Sequence, residues 1–358
     1  MNKSVNSLAL YQKIYNDLEQ KISSGQIGYL EQLPALPDLC RLYGVSEAPV
    51  RQALGDLQRA GLVLKQRGRG KGTVAVKKLR VMTIRVLLME PNLFPNSIES
   101  VHEILDMITG IRATAQEIGA DVEIFSPNSN DTLALAGGDT GYLILADTME
   151  TYEKGRKIAA GHGAPCVLVN VPAAPAVPTP CVRVDIEEAA FLGVNYLAHL
   201  GHRRIAYVGG YGTEWFVPRI AGYKRALETN NLSFDPDLLH ENGGRSAETN
   251  GAAFDSLMTL DPPVTAIFAG TDYCALQLLS HARRRGIAVP ERVSLCGYDD
   301  IQEASKVEPA LTTVFHPRSE LGTEAVHLLS RLLSDEPVSQ LDVTIPPRVV
   351  VRASTAPH

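Results

Sequence analysis

The pattern of apolar and polar positions changes once along the chain. Before residue 80, apolar side chains recur at intervals of three and four, which predicts amphipathic helices. From Ile84 onward, nearly continuous apolar runs alternate with amphipathic segments, which predicts strands separated by helices. The predicted strands are Ile84–Met89, Val122–Phe125, Tyr142–Ala146, Cys166–Asn170, Ile205–Gly209, Thr265–Ala269 and Val293–Gly297. The predicted helices between them span residues 98–118, 186–200, 217–229, 247–259, 273–285 and 317–334.

Apolar strands separated by helices predict parallel sheets that are covered on both faces. The number of strand-helix units favours two doubly wound lobes over one sheet. We expect the proline-rich stretch 171–180 to lead from the first lobe to the second. Within a body spanning 84–355, the expected first lobe comprises residues 84–180 and 315–336, and the second comprises 181–314 and 337–355.

Residues 37–60 predict two helices joined by a tight turn, which is the helix-turn-helix pattern. The first helix is expected to end at Gly44. Ser46 is expected to cap the second by accepting backbone N–H bonds, and Gly61 to end it in the left-handed conformation. An earlier helix, capped by Ser7, is expected to pack behind this pair.

The second helix of the pair has two different faces. Its core face comprises Val50, Ala53, Leu54, Leu57 and Ala60. Its other face carries small and hydrogen-bonding side chains that can approach base edges in a major groove. These are Glu47, Ala48, Arg51, Gln52 and Gly55. An ordinary surface helix is the alternative.

Residues 62–76 read as two β-rich runs around a basic, glycine-rich tip, which predicts the wing of a winged helix. Glycines such as Gly70 allow the backbone of the tip to approach a duplex closely. The basic side chains would lie against phosphates. They are Lys65, Arg67, Arg69 and Lys71. A flexible basic hairpin without a nucleic-acid role is the alternative.

Charge divides the chain at the same place. Residues 1–80 contain 13 Lys and Arg and 6 Asp and Glu, a net charge of +7, whereas the remainder contains 21 and 34, a net charge of −13. This asymmetry is typical of a basic nucleic-acid module on an acidic body. We therefore predict a DNA-binding domain at 1–78, a basic linker at 79–83 and the two-lobed body after it.

Leu33-Pro34 through Val74 resembles the winged-helix domain of GntR-family regulators, and the match covers residues 8–78. The carrying pattern is LPxxxxLxxxxGVSxxPVRxALxxLxxxGL followed by RGxGxxV. That family usually carries an Arg in the first helix of the unit and another directly after the turn Ser, and both are used on DNA. Pro37 and Glu47 occupy those positions here. The difference at these two positions predicts an altered base preference, since the Glu47 carboxylate can accept a hydrogen bond from a cytosine amino group.

Residues 84–355 resemble the effector domain of LacI/GalR-family regulators, most strongly in the second lobe. The motifs are Val184-Asp185, His199 to Val208, Arg219 to Tyr223, Thr271-Asp272, Gly297 to Asp300, Pro309 to Val314 and Pro347 to Thr355. The resemblance implies the fold of type I periplasmic sugar-binding proteins: an α/β body of two doubly wound parallel-sheet lobes. A GntR-type head on such a body is similar to the arabinose repressors of Gram-positive bacteria.

Ligands of open parallel sheets bind outside the carboxyl ends of the strands. This rule gathers residues 90–94, Asp147, 210–219, Thr271-Asp272 and Asp299 around one cleft between the lobes. A sugar requires planar donors and acceptors for its hydroxyls and an aromatic face for its C–H side. Residues of those types are Arg219, Asp272, Asp299, Trp215 and Phe94.

The family resemblance implies that Arg219, Thr271 and Asp299 contact the effector. Thr271 replaces the common Asn, which leaves the ligand's identity open. Each Asp could instead cap a helix at a strand-to-helix turn, and Arg219 could form an ordinary surface ion pair. A sugar is the expected effector, and a nucleobase is the nearer alternative.

Other classes of function have little support in the sequence. We find no catalytic constellation, no cofactor fingerprint and no expected metal site, and the five cysteines lack any CxxC pair. The absence of an apolar run of about 18 residues or a signal-type segment predicts a cytoplasmic protein without membrane contact. We predict a ligand-responsive transcription regulator, a repressor of carbohydrate-use genes that binds a pseudo-palindromic operator as a homodimer. A sugar-binding receptor or sugar-processing enzyme is the alternative from another class.

Overall fold

The computed structural model describes residues 2–23, 26–27, 31–60, 62–65, 72–75, 82–89, 98–127, 139–210, 214–241, 246–334 and 336–358, with backbone alone at 2–9, 23 and 98–103. The chain divides into two compact units, Met1–Val81 and Met82–His358. The division falls within the predicted linker 79–83. No helix among the described residues is both long and apolar enough to cross a membrane.

The first unit is the predicted winged helix-turn-helix. Its elements are α1 (Asn2–Ser23), α2 (Leu36–Tyr43), α3 (Glu47–Arg59), β1 (Val63–Lys65) and β2 (Thr73–Ala75). Gly44 ends α2 in the left-handed conformation at φ 64°, as predicted, and the two strands pair antiparallel. Leu39, Val50 and Leu57 are fully buried between the helices.

Two expectations about the helix ends are wrong. Helix α1 begins at Asn2 and runs through Ser7, so Ser7 does not cap it. Ser46 stands at the N-cap of α3 with extended backbone, but its side chain makes no capping hydrogen bond. Gly61, the expected stop of α3, lies outside the described residues.

The second unit contains two six-stranded sheets covered by helices. The strands of the first sheet are β3 (Thr83–Leu88), β4 (Asp121–Phe125), β5 (Thr140–Leu145), β6 (Cys166–Val169), β7 (Cys181–Val184) and β13 (Asp342–Ile345). Those of the second are β8 (Ile205–Val208), β9 (Leu239–His240), β10 (Ala266–Ala269), β11 (Ser294–Asp299), β12 (Thr312–Phe315) and β14 (Arg348–Val350). The helices are α4 (Ile98–Glu117), α5 (Met149–Gly161), α6 (Ile186–His199), α7 (Phe216–Thr229), α8 (Ala247–Thr259), α9 (Asp272–Arg285) and α10 (Arg318–Leu333).

The strand orders are β13-β7-β6-β5-β3-β4 and β14-β12-β11-β10-β8-β9, and every pair except β12–β14 is parallel. This is the predicted class of two doubly wound lobes. The expected boundaries between the lobes are wrong at two strands, however. The sequence placed Cys181–Val184 and Asp342–Ile345 in the second lobe, whereas β7 and β13 complete the sheet of the first.

Pairing along the edge of the first sheet explains the error. The proline-rich stretch returns the chain to the same sheet, where the Leu168 N–H donates to the Pro180 carbonyl. The Arg183 guanidinium then binds both carboxylate oxygens of Asp342, at 2.8 and 2.9 Å, and holds β13 beside β7. The chain therefore crosses between lobes at residues 185, 316–317 and 346–347.

Close packing of α6 on α7 requires a glycine at position 222. A Cβ built there would lie 2.1 Å from the carbonyl oxygen of Glu187, which is backbone and cannot move aside. We expect Gly222→Ala to destabilise the body by about 1–3 kcal/mol, because overpacking forces the helices apart. Gly161→Ala is the control, since its Cβ would have nothing within 4 Å. Equal melting temperatures for the two variants would contradict this packing.

Candidate functional site

The exposed face of α3 is the first candidate site. Ser46, Glu47, Ala48, Arg51 and Gln52 are all exposed there, as the pattern predicted. The Arg51 Nη2 atom lies 2.8 Å from Glu47 Oε2, and both side chains keep more than half of their surface accessible. An exposed pair of this kind contributes little stability, so either partner can exchange the other for DNA at small cost.

The wing is described only at its base. Lys65 is exposed at the last position of β1, where its ammonium group can reach a phosphate. The other predicted wing residues, Arg67, Arg69, Gly70 and Lys71, lie outside the described residues. Glu47 is an acidic residue on a face that is proposed to meet DNA phosphates. Its carboxylate accepts hydrogen bonds from the Arg51 guanidinium, one helical turn later.

The second candidate site lies at the carboxyl ends of the second-lobe strands. Arg219, on α7, is only 6% exposed, so the interpretation of it as a surface residue is wrong. Its Nη1 donates to the Gly270 carbonyl at 2.9 Å, and its guanidinium carbon lies 4.2 Å from the ring centre of Tyr298 and 4.8 Å from that of Phe216. Its Nε has no hydrogen-bond partner among the described residues.

A buried guanidinium with an unused donor is costly unless something completes its hydrogen bonding. The buried Tyr207 hydroxyl also lacks a partner among the described residues, and it borders the same Gly270 backbone. The strand ends thus carry a planar cation that can donate hydrogen bonds to oxygen atoms of a ligand, beside two aromatic rings that offer apolar faces.

Asp299 ends β11 and is 3% exposed. Its φ of 125° is unusual for a residue with a side chain and costs on the order of 1–3 kcal/mol. The Arg318 guanidinium, from the first turn of α10, donates to both the carboxylate of Asp299 (2.7 Å) and its carbonyl (3.1 Å). These bonds hold the strained conformation in place.

Asp272 is buried completely, away from solvent. Its carboxylate accepts from the Thr313 hydroxyl at 2.5 Å and from the Ile301 N–H at 2.9 Å. Both oxygens are therefore occupied inside the second lobe. Thr271 is the N-cap of α9 and accepts from the Cys274 N–H at 3.1 Å. The helix-cap alternative for the Asp residues is wrong for Asp272, because Thr271 is the cap; Asp272 serves the core of the second lobe.

Burial raises the pKa of Asp272 to about 7, with the negative charge of Asp299 adding to the effect. A raised carboxyl pKa means that the folded state binds the proton more tightly than the unfolded state. The contribution of Asp272 to the free energy of unfolding is therefore greatest below about pH 4, and it is lost as the pH rises toward 7.

We expect Asp272→Asn to remove this loss, because an amide can donate to the Thr313 oxygen and accept from the Ile301 N–H without ionising. The wild-type free energy of unfolding should fall relative to that of the variant between pH 4 and 7, by at most about 1.4 kcal/mol per pH unit. Urea titrations at several pH values measure the difference. Parallel pH profiles for the two proteins would show that Asp272 is ionised throughout.

Trp215 and Asp147 meet across the two lobes. The Trp215 indole N–H donates to the backbone carbonyl of Asp147 at 2.7 Å, and the neighbouring Glu214 carboxylate accepts from the Met149 N–H at 2.7 Å, at the start of α5. Asp147 thus contributes its backbone carbonyl, and its side chain is exposed. Phe94, the remaining predicted contact, lies outside the described residues.

Sequence reasoning missed Tyr298, Phe216, Arg318 and His316. His316 and Arg318 belong to the crossover after β12, a strand that the apolar pattern did not predict, so the strand-end rule was not applied there. Phe216 rather than Trp215 stacks on Arg219. A separate cavity of about 340 Å³ lies on the first lobe between α10 and β13, and no predicted residue lines it.

Comparison with known proteins agrees with both halves of the chain. Residues 10–73 match the bacterial regulatory proteins of the gntR family, and residues 194–355 match the periplasmic binding protein-like domain. An arabinose metabolism transcriptional repressor from Geobacillus stearothermophilus is 27% identical, over 98% of each chain. The repressor CytR of Escherichia coli is 35% identical over 53% of this chain and 56% of its own length, so the similarity covers about half of that protein.

Solved structures show the same fold. The regulator CelR in complex with cellobiose aligns with a TM-score of 0.62 at 22% identity, over 90% of this chain and 100% of its own. Because its two parts match these two domain models and its sequence relatives are named repressors, the chain is a DNA-binding transcription regulator that responds to a small molecule. It joins a GntR-family winged-helix domain to a periplasmic binding protein-like body, and the arabinose metabolism repressor is similar to it over nearly the whole of both chains.

Proposed function

We propose that the protein is a repressor of carbohydrate-use genes, that its effector is a sugar, and that it acts in the cytoplasm on operator DNA as a homodimer. The observation that carries the sugar is the buried Arg219. The guanidinium of Arg219 is a planar set of hydrogen-bond donors and lies against the rings of Phe216 and Tyr298. The carboxylate of Asp299 follows Tyr298 directly in the sequence. Hydroxyl pairs fit a planar guanidinium, and C–H faces fit aromatic rings.

The relatives support the same assignment. One is named for arabinose metabolism, and solved structures of similar fold contain cellobiose or ribose. We infer that Arg219 and Asp299 contact the effector directly and that Trp215 and Asp147 close the cleft over it. Phe94 stays a proposed contact from the first lobe. Ser46, Glu47, Ala48, Arg51, Gln52 and the basic wing residues would bind the operator.

A thermal-shift panel of arabinose, ribose, cellobiose, their phosphates and free nucleobases tests the effector class. A sugar present at about 100 times its dissociation constant should stabilise the folded protein by about 2.7 kcal/mol. A shift with nucleobases and none with sugars would replace the sugar by the alternative ligand class. Sedimentation should give twice the mass of one chain, and a monomer at micromolar concentration would contradict the dimer.

A further inference from the structure

His316 lies at a crossover between the lobes and is 4% exposed. It follows β12 of the second lobe and precedes α10, which packs on β5 and β6 of the first. Its backbone N–H donates to the Asp299 carbonyl at 3.3 Å. The side chain is thus enclosed at the place where the two lobes are covalently joined.

Both ring nitrogens of His316 have partners, and the partners belong to different lobes. Nε2 lies 2.9 Å from Asn170 Oδ1, at the end of β6, and Nδ1 lies 3.1 Å from the Tyr298 hydroxyl on β11. Burial and the positive charges of Arg318 and Arg219 hold the pKa of His316 well below its usual value, so the ring is neutral. A neutral imidazole has one donor and one acceptor.

The direction of each hydrogen bond follows from this. The amide oxygen of Asn170 can only accept, so His316 Nε2 carries the hydrogen and donates. Nδ1 must then accept from the Tyr298 hydroxyl. The ring of Tyr298 lies under the guanidinium of Arg219, 4.2 Å from its carbon atom. A continuous contact path therefore runs from Arg219 through Tyr298 and His316 to Asn170.

The first-lobe end of this path is rigid. Asn170 has a left-handed backbone at φ 59°, which asparagine tolerates better than most residues. Its N–H donates to the Val182 carbonyl at 2.8 Å, and its carbonyl accepts from the buried Tyr152 hydroxyl at 2.8 Å. A shift of His316 relative to Asn170 therefore breaks the hydrogen bond, because Asn170 cannot follow.

We propose that His316 is a positioning residue that holds the two lobes in the arrangement in which Trp215 meets Asp147, here called closed, by joining Tyr298 to Asn170. This inference builds on the proposed function, because Arg219 is the proposed effector contact. Effector bound at Arg219 would press on Tyr298 and so reach the first lobe through the His316 imidazole, beside the separate Arg318–Asp299 contact. His316 itself touches no effector.

Trp215 is the only tryptophan of the chain, and its indole N–H bridges the lobes to Asp147, so its fluorescence reports closure without ligand or DNA. In the full-length protein, His316→Leu should shift the closed-to-open equilibrium about tenfold or more toward open, as loss of a buried hydrogen-bonded group does. We expect the acrylamide quenching constant of Trp215 to rise above the wild-type value as a result, because the indole is released from Asp147 in the open form. Asn170→Gly should do the same, since glycine accepts the left-handed backbone.

Two further variants separate positioning from general loosening. His316→Gln should stay near the wild-type quenching constant, because an amide can accept from Tyr298 and donate to Asn170. His202→Leu is the matched control: His202 is also buried, with ring nitrogens 3.0 Å from Thr265 Oγ1 and 3.1 Å from the Ala356 carbonyl, but it precedes β8 at the opposite end of the sheet. His202→Leu should lower the melting temperature and leave Trp215 unchanged.

The double variant His316→Leu/Asn170→Gly should be quenched no more than either single variant, because both remove the same bond. The inference is overturned if His316→Leu and Asn170→Gly leave the quenching constant at its wild-type value. It is equally overturned if His202→Leu raises it as much as they do. Neither result depends on sugar or operator binding, so the proposed function is tested separately.

Discussion

We expect Arg219→Ala to abolish the influence of the effector on operator binding while leaving operator affinity itself intact. Arg219 is remote in sequence from the winged helix, and its contacts are with Gly270, Phe216 and Tyr298 in the second lobe. Loss of a buried, charged hydrogen-bonding partner should weaken effector binding about 30-fold or more. Effector and operator are typically coupled about 5- to 150-fold, and this ratio should fall to about one.

Fluorescence anisotropy of a labelled operator duplex, with and without the sugar identified in the thermal-shift panel, measures this ratio. Arg225→Ala is the matched control, because Arg225 lies on the same helix but at the surface, where it pairs with Glu187 and Glu188. We expect that control to respond like the wild type. A wild-type midpoint and amplitude in Arg219→Ala would remove Arg219 from the effector site.

Glu47→Arg is expected to tighten binding to random-sequence duplex by on the order of 60-fold at 0.1 M salt. The substitution removes an acidic group from the exposed face of α3 and adds a basic one, and it releases Arg51 from its ion pair. Each added phosphate contact steepens the dependence of log K on log salt concentration by about 0.9, so two contacts give about 1.8. Glu47→Gln should show about half of that change in slope.

The control is Glu150→Arg, which reverses another exposed carboxylate; Glu150 pairs with Lys154 in the same i,i+4 arrangement, but on α5 of the body. Its salt slope should match the wild type, because the charge lies outside the DNA-binding unit. If Glu47→Arg weakens affinity for random duplex, or if both reversals act alike, α3 does not present this face to DNA.

The elements that the sequence predicted well are those whose signal is local. The run Ile205–Gly209 is apolar throughout and became β8, and Gly44 ends α2 where a left-handed residue is required. Helix α5 was missed, because its buried positions include Thr151 and Gly155 as well as Tyr152 and Ala159, which give no clear apolar stripe.

The lobe boundaries could not be predicted because nothing local tells which sheet a strand joins. Strand β13 is largely accessible, and its place beside β7 depends on the Asp342 side chain meeting Arg183, 159 residues away. The role of Asp272 was hidden for a similar reason. A carboxylate that follows a strand predicts a cleft residue. Only the hydrogen bonds that Thr313 and Ile301 donate to Asp272 show that it belongs to the core.

The contacts made by the crossover after β12 are the part of the candidate site that the sequence did not predict. Arg318 and His316 match no motif, and they reach Asp299 and Tyr298 only because β12 runs parallel to β11. Such contacts depend on strand order, which the apolar pattern does not contain. Arg219, by contrast, could be named as a cleft residue from the family motif Arg219 to Tyr223 together with the strand-end rule.

Selection of bound duplexes from a random-sequence pool by the full-length protein, with and without the stabilising sugar, tests regulation most directly, because it requires no knowledge of the operator. A dimer of winged helices should enrich two inverted half-sites separated by about one or more helical turns. The sugar should reduce recovery of those sequences by about 5-fold or more. Two results would contradict a ligand-responsive regulator. One is a recovered pool with the same sequences as its input, and the other is an enriched site whose recovery does not change when the sugar is added.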